Sequence, residues 1–482
     1  MRWRYILNIV GILILFLGLT MIFPLLIGFY YNDQSVVPLL KSMGITIIFG
    51  LLLHLYFKHA KAEFISQREG IVIVAVSWTA VGLFGALPFY LGGEFSVFVD
   101  AFFESVSGFT TTGASILTNV EAISKGLLFW RSFIQWLGGM GIIVLSIAIL
   151  PFLGVGGMQL FKAEVPSPVP DKLKPRIRDT AMMLWKVYVL FSAAEIILLL
   201  IGGMDFYEAL CHTLTTMPTG GFSTKNASIA HFNSVYFDIV IIVFMLLAGI
   251  NFSLHYQMLR GKPLAFWRDT ECRFFLGFVL LLVIVVSFNV YGSIYDKIGQ
   301  ALRFGAFQVV SIITTTGFAT ADYEKWPAMS QLILLFCMFI GASAGSTGGG
   351  MKCIRVLLCF KFCYKELFAL IHPHAVKQIK IGGKSVSDDI MRSILGFLAL
   401  YISIFSFCAI LLAGMGVDFV TSFGAVASAI GNIGPGFGLA GPAENYAQIP
   451  CLGKWLLIWC MLLGRLEIYT VIILFVPEFW RK

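Results

Sequence analysis

Apolar runs of twenty residues or more, separated by short polar stretches, recur along the whole chain. They cover roughly 5–31, 36–57, 71–93, 125–152, 181–203, 234–258, 273–294, 328–352, 388–415 and 452–476. Each is long enough to cross about 30 Å of hydrocarbon at about 1.5 Å per residue. The pattern predicts ten membrane spans with both termini on one side. The first run is too long for a signal-peptide core and no small-residue cleavage site follows it, so it reads as a retained helix. Four shorter apolar segments, 98–109, 205–216, 299–313 and 418–430, are too short to span.

Each short segment ends in a polar Thr/Gly loop and is followed by a span. The loops are Thr110-Thr111-Thr112-Gly113-Ala114, Met217-Pro218-Thr219-Gly220-Gly221, Thr314-Thr315-Thr316-Gly317-Phe318 and Asn432-Ile433-Gly434-Pro435-Gly436. Aligned on Gly113, Gly220, Gly317 and Gly434, they recur at intervals of 107, 97 and 117 residues. In that alignment Ser107, Ser311 and Ser428 lie six residues before the glycine, and Leu214 takes the place in the second copy. A single TTTG is a common turn-like string. Four copies in the same order of span, short helix, loop and span make an internal repeat. The expected organisation is two N-terminal helices (1–66) and four repeats, 67–160, 161–262, 263–365 and 366–482.

The chemistry follows from the bilayer. Irregular backbone at membrane depth is tolerated only where it is buried in protein or lines a water-filled cavity. Four such loops around one axis would aim carbonyl oxygens at a narrow lumen, where they can replace a cation's hydration shell. The carboxyl ends of the short helices would add partial negative charge. The candidate cation ligands are therefore Thr111, Thr112 and Gly113; Pro218, Thr219 and Gly220; Thr315, Thr316 and Gly317; and Asn432, Ile433 and Gly434. Pro218 departs from the small polar residue expected there; its carbonyl remains available. Glu104 and Glu208 are read as orienting the short helices rather than binding the ion.

The run 328–352 contains Gly341-Ala342-Ser343-Ala344-Gly345-Ser346-Thr347-Gly348-Gly349-Gly350. So much glycine makes a poor helix and exceeds what one packing face needs. Gly341, Gly345, Ser346, Thr347, Gly348, Gly349 and Gly350 are candidates for an unwound gate. Arg465, in Gly464-Arg465-Leu466-Glu467 of the last span, is an intramembrane charge and hence a functional candidate. It could raise a barrier in the pore, bind the glycine segment, or pair with Glu467.

Composition agrees: 58% of residues are hydrophobic and 12% charged, against about 25% charged in soluble domains. The net charge of +8 could suggest nucleic acid, but its distribution argues otherwise. Of the 34 Lys and Arg, 24 fall in the termini and alternate loops, so that face is cytoplasmic by the positive-inside rule. Cys359 and Cys363 lack the usual zinc spacing, and His372 and His374 alone make no metal site. No HExxH or CxxC occurs, which argues against an enzyme.

These residues resemble the TrkH/KtrB/HKT superfamily of K⁺ transporters over the whole chain. The resemblance is carried by the four loops, by Gly341–Gly350 and by Gly464-Arg465-Leu466-Glu467. The two extra N-terminal spans look like TrkH-type rather than KtrB-type members. It implies an all-α membrane protein with four helix–pore helix–helix units around one K⁺ pore, and no organic cofactor. It also implies a homodimer in a bacterial inner membrane and a cytoplasmic nucleotide-binding regulatory subunit of the TrkA type. In the family the segment matching Gly341–Gly350 gates the pore, the arginine matching Arg465 contributes a barrier, and glycine at the four filter positions goes with K⁺. The alternative is a secondary transporter coupled to H⁺ or Na⁺. Inverted repeats would suit that reading, but here the four units share one orientation. Glu467 and His255 are the few candidates for a proton path.

Overall fold

A backbone in hydrocarbon must satisfy its own hydrogen bonds, so the apolar runs fold as helices. The computed structural model describes residues 1–59, 66–139, 141, 177–375, 377–382 and 384–481. The principal helices are α1 Trp3–Thr20, α2 Ile22–Tyr31, α3 Val36–Phe57, α4 Gln67–Gly85, α5 Phe98–Phe109, α6 Lys125–Gly139, α7 Ile177–Ile201, α8 Phe206–Thr216 and α9 Val235–Gly249. There follow α10 Phe252–Leu259, α11 Thr270–Val290, α12 Ile298–Ile313, α13 Ala328–Ile340, α14 Cys353–Ile371, α15 Asp388–Gly414, α16 Phe419–Gly431, α17 Cys451–Arg465 and α18 Ile468–Ile472. The only strands among the described residues are the two-residue pair Lys380–Ile381 and Lys384–Ser385.

Among the described residues six helices are long and apolar enough to cross a membrane, or eight if each bent pair counts as one. Three of the ten expected straight spans are broken. The run 234–258 turns by 102° between α9 and α10, where the Asn251 side chain accepts the Ser253 N–H at 2.9 Å and starts a new helix. The run 452–476 turns by 117° after α17. The run 328–352 ceases to be helical at Ile340, because the following glycine-rich backbone finds its hydrogen bonds in neighbouring segments. Residues 140 and 142–152 of the fourth run, the 160/161 repeat boundary and the basic residues Lys61, Lys162, Lys172, Lys174, Arg176 and Lys482 lie outside the described residues.

The four short helices form within one residue of their predicted bounds as α5, α8, α12 and α16. Asp205 and Asp418 cap the second and fourth: their carboxylates accept Tyr207 N–H and Thr421 N–H, each at 3.0 Å. The chain ends meet on one side, where the Trp3 and Trp480 rings stack at 6.0 Å. There Arg2 pairs with Glu69 at 2.6 Å, and Glu69 also completes a capping box with Ser66 at the start of α4.

Candidate functional site

Each short helix ends in the same backbone figure. In the first, Thr111 N–H donates to Gly108 O, while Thr112 and Gly113 N–H both reach Ser107 O. Thr219, Gly220 and Gly221 repeat this with Thr216 O and Thr215 O, and Thr315, Thr316 and Gly317 with Ile312 O and Ser311 O. Asn432 and Ile433 do so with Ala429 O and Ser428 O. The dihedrals agree: Thr111, Thr219, Thr315 and Asn432 have φ of 53° to 61°, and Gly113, Gly221, Gly317 and Gly434 have φ of 73° to 103°.

This corrects the register of the second loop by one residue. Gly221, not Gly220, matches Gly113, and Thr215, not Leu214, stands six residues before it. All four copies then carry a hydroxyl at that position. In this register Thr219, Gly220 and Gly221 match Thr111, Thr112 and Gly113, and Pro218 stands at the place of Thr110 and Thr314.

The loops close into a ring. A Cβ built on Gly113 would fall on the carbonyl oxygen of Gly220, one on Gly221 on that of Thr316, and one on Gly317 on that of Ile433. One on Gly434 would stand 2.8 Å from Thr112 O. Each glycine thus lies against the carbonyl of the next loop, in one cyclic order, and only a residue without a side chain fits there. Outside the ring Arg131 Nη1 donates to Ser223 O at 2.9 Å, and Ala230 N–H to Ala319 O at 3.1 Å. Tyr323 O–H donates to Gly436 O at 2.7 Å, and Tyr446 N–H to Ser115 O at 2.9 Å. Those four bonds join loops one to two, two to three, three to four and four to one. A cavity of about 160 Å³ opens on one side of the ring, and Gly113, Gly221, Gly317 and Gly434 all line it.

Glu104 and Arg131 brace the first loop from behind. They pair at 2.7 Å with both side chains buried, and Glu104 also accepts Ser115 O–H and Ile116 N–H, each at 2.9 Å. Glu208 does the same for the second loop through Thr224 and Lys225. Gln135 was not evident in the sequence; its amide donates to Gly220 O at 2.7 Å and accepts Phe222 N–H at 3.1 Å.

The glycine-rich segment lies under the ring. Thr347 Oγ1 donates to Met217 O at 3.0 Å, and Gly349 N–H donates to Thr315 Oγ1 at 2.7 Å. A Cβ on Gly348 would stand 2.9 Å from Thr314 O, and one on Gly349 would meet Gly431 O. The segment therefore touches the ends of the second, third and fourth short helices at once. Arg465 links it to the first unit: its guanidinium donates to Thr347 O at 2.9 Å, to Gly139 O at 3.0 Å and to Gly138 O. Arg465 does not pair with Glu467. Glu467 binds Arg355 at 2.5 Å, so of the three roles open in the sequence, the ion pair with Glu467 is excluded.

Neither expected proton-path residue stands free: Glu467 is in that pair, and His255 Nε2 contacts Leu247 O at 2.8 Å. Among the described residues no group of three His, Cys, Asp or Glu could hold a metal ion.

The family profile described as TrkH, cation transport protein, matches residues 38–482. The chain belongs to the TrkH family. Its members are transport proteins and not enzymes. The chain is 42% identical over its full length, and the full length of the relative, to the Trk system potassium uptake protein TrkH of Salmonella typhimurium. It is 42% identical to that of Escherichia coli strain K12 over the whole of both chains, and 38% identical to TrkG of the same strain over 99% of each. Its fold matches the crystal structure of the potassium transporter TrkH from Vibrio parahaemolyticus with a TM-score of 0.89, at 38% identity and full coverage of both chains. This TrkH-family chain is accordingly a multi-pass, mostly helical membrane protein.

Proposed function

We propose that this chain is a K⁺-selective, channel-like uptake protein that conducts K⁺ and Rb⁺ through the four-loop ring. The observation that carries the reading is the cyclic glycine-to-carbonyl contact of Gly113, Gly221, Gly317 and Gly434. It sets the Thr112, Gly220, Thr316 and Ile433 carbonyls side by side, in the arrangement that replaces the hydration shell of a monovalent cation. The curated relatives are named for potassium uptake. Ligands of the ion come from Thr111, Thr112, Gly113, Thr219, Gly220, Gly221, Thr315, Thr316, Gly317, Asn432, Ile433 and Gly434. The segment Gly341–Gly350, held by Arg465, is the gate. The protein works as a homodimer in the bacterial inner membrane with its termini in the cytoplasm, under a TrkA-type nucleotide-binding subunit on that face.

A transporter coupled to H⁺ or Na⁺ is the second reading. Glu195 favours it: this carboxylic acid is fully buried within the spanning helix α7, beside Thr216 at the end of the second short helix. Cation flux into liposomes separates the two. Uptake driven by an imposed potential alone, about 2.3 kcal/mol per charge at 100 mV, supports conduction. Uptake that requires a proton or sodium gradient, and that Glu195→Gln uncouples from it, supports coupling.

A further inference from the structure

Lys352 ends the apolar run 328–352, two residues after the glycine-rich segment, and it is only 4% exposed. Its backbone sits at φ 72°, ψ 131°, a region nearly closed to residues with a Cβ. Glu467, at the break in the last span, has almost the same angles, φ 62° and ψ 130°. The Lys352 ammonium folds back and donates to Gly348 O. Among the described residues no carboxylate lies within ion-pair reach of it. The charged groups that face it are Glu467, Arg465, Arg355 and Glu271. Each is engaged elsewhere: Glu467 with Arg355, Glu271 with Ala344 N–H at 2.7 Å, and Arg465 with Thr347 O.

A buried ammonium on one carbonyl and a strained backbone are both unfavourable, and such features persist where the surrounding structure enforces them. The place they occupy gives them a use. Gly348 adjoins Thr314 and Thr315 of the third loop, so the ammonium rests on a carbonyl of the segment where it meets the ring. We propose that Lys352 is a tethered cation that holds the gate shut, occupying the position a K⁺ ion takes on leaving the ring. This rests on the conduction reading above and deepens it. Arg465 stands on the last helix and stays beside the path; Lys352 is carried by the segment itself, so displacing the segment withdraws its charge. The strained backbone at Lys352 relaxes when that happens, which favours opening once a regulator pulls on α14.

The test uses the full chain in liposomes, with ⁸⁶Rb⁺ uptake under an imposed potential and Na⁺ uptake measured in parallel. Lys352→Gln and Lys352→Met are expected to raise Rb⁺ uptake at least about tenfold, equivalent to ~1.4 kcal/mol of closure. Lys352→Arg should stay near the parent, and the Rb⁺/Na⁺ ratio should be unchanged in all three. Uptake at or below the parent in both neutral variants, with or without a fall in melting temperature, would make Lys352 a structural residue and overturn the proposal. Failure of the conduction reading shows differently, as uptake in the parent and every variant that an imposed potential alone does not drive and that requires a proton or sodium gradient.

Discussion

Replacing Gly221 and Gly220 separately with alanine tests the ring through its least obvious feature, the shifted second loop. Gly221 has φ 73°, where an L residue costs about 1–2 kcal/mol. Its new Cβ would land on the Thr316 carbonyl oxygen, which is backbone and has nowhere to go except into the lumen. The oxygen must retreat by on the order of an ångström, and overpacking of that kind costs about 1–3 kcal/mol. Together these terms disturb a ring carbonyl by about 2–5 kcal/mol. At Gly220 the backbone is not left-handed, and the Cβ would meet the Gln135 side chain. That side chain can rotate away, with the loss of two hydrogen bonds of about 1 kcal/mol each. Gly221→Ala should therefore lower the K⁺/Na⁺ flux ratio at least tenfold, while Gly220→Ala keeps most of it. The assay is paired Rb⁺ and Na⁺ uptake by reconstituted protein. A Gly221→Ala protein with intact selectivity beside a Gly220→Ala protein without it would refute the register and the ring built on it.

Arg465→Gln removes donors to three carbonyls at charge-assisted strength, about 1.5–3 kcal/mol each, and should raise unregulated Rb⁺ uptake. A destabilised protein with no gain in uptake would mean that Arg465 only braces the helices. Arg131→Met leaves the buried Glu104 without its counter-charge, which should destabilise by about 3–5 kcal/mol. The double variant with Glu104→Gln should recover part of that loss in a detergent melting series. Hydrogen bonds from the Thr421 side chain and backbone hold the Asp418 carboxyl below its usual range. Its capping contribution is therefore full above the unfolded value near pH 4 and is lost as pH falls. Asp418→Asn, which caps as well, should lose less stability than the parent between about pH 5 and pH 3.

The short helices were legible because their ends are written locally. Asp205 and Asp418 start two of them, and the Thr/Gly loops stop all four. The breaks in the spans were not, since each broken stretch is still apolar enough on average to read as one span, despite Asn251 in one and Arg465 and Glu467 in the other. Beside the local cap at Asn251, tertiary contacts hold the bends: Phe252 N–H finds Gly345 O, and Glu467 finds Arg355. The second-loop register was ambiguous because Gly220-Gly221 is a doublet. The hydroxyl six residues before the glycine would have decided it, since Thr215 completes the set with Ser107, Ser311 and Ser428. Lys352 escaped notice because it reads as the first charge of a basic loop, and its burial depends on how the glycine-rich segment folds back.

The most direct test of the central claim is anomalous diffraction from crystals of this chain soaked in Rb⁺. A peak on the ring axis, within coordination distance of the Thr112, Gly220, Thr316 and Ile433 carbonyls, is the predicted result. Protein that transports Rb⁺ in liposomes yet shows no density on that axis, or shows it elsewhere among the helices, would contradict the account.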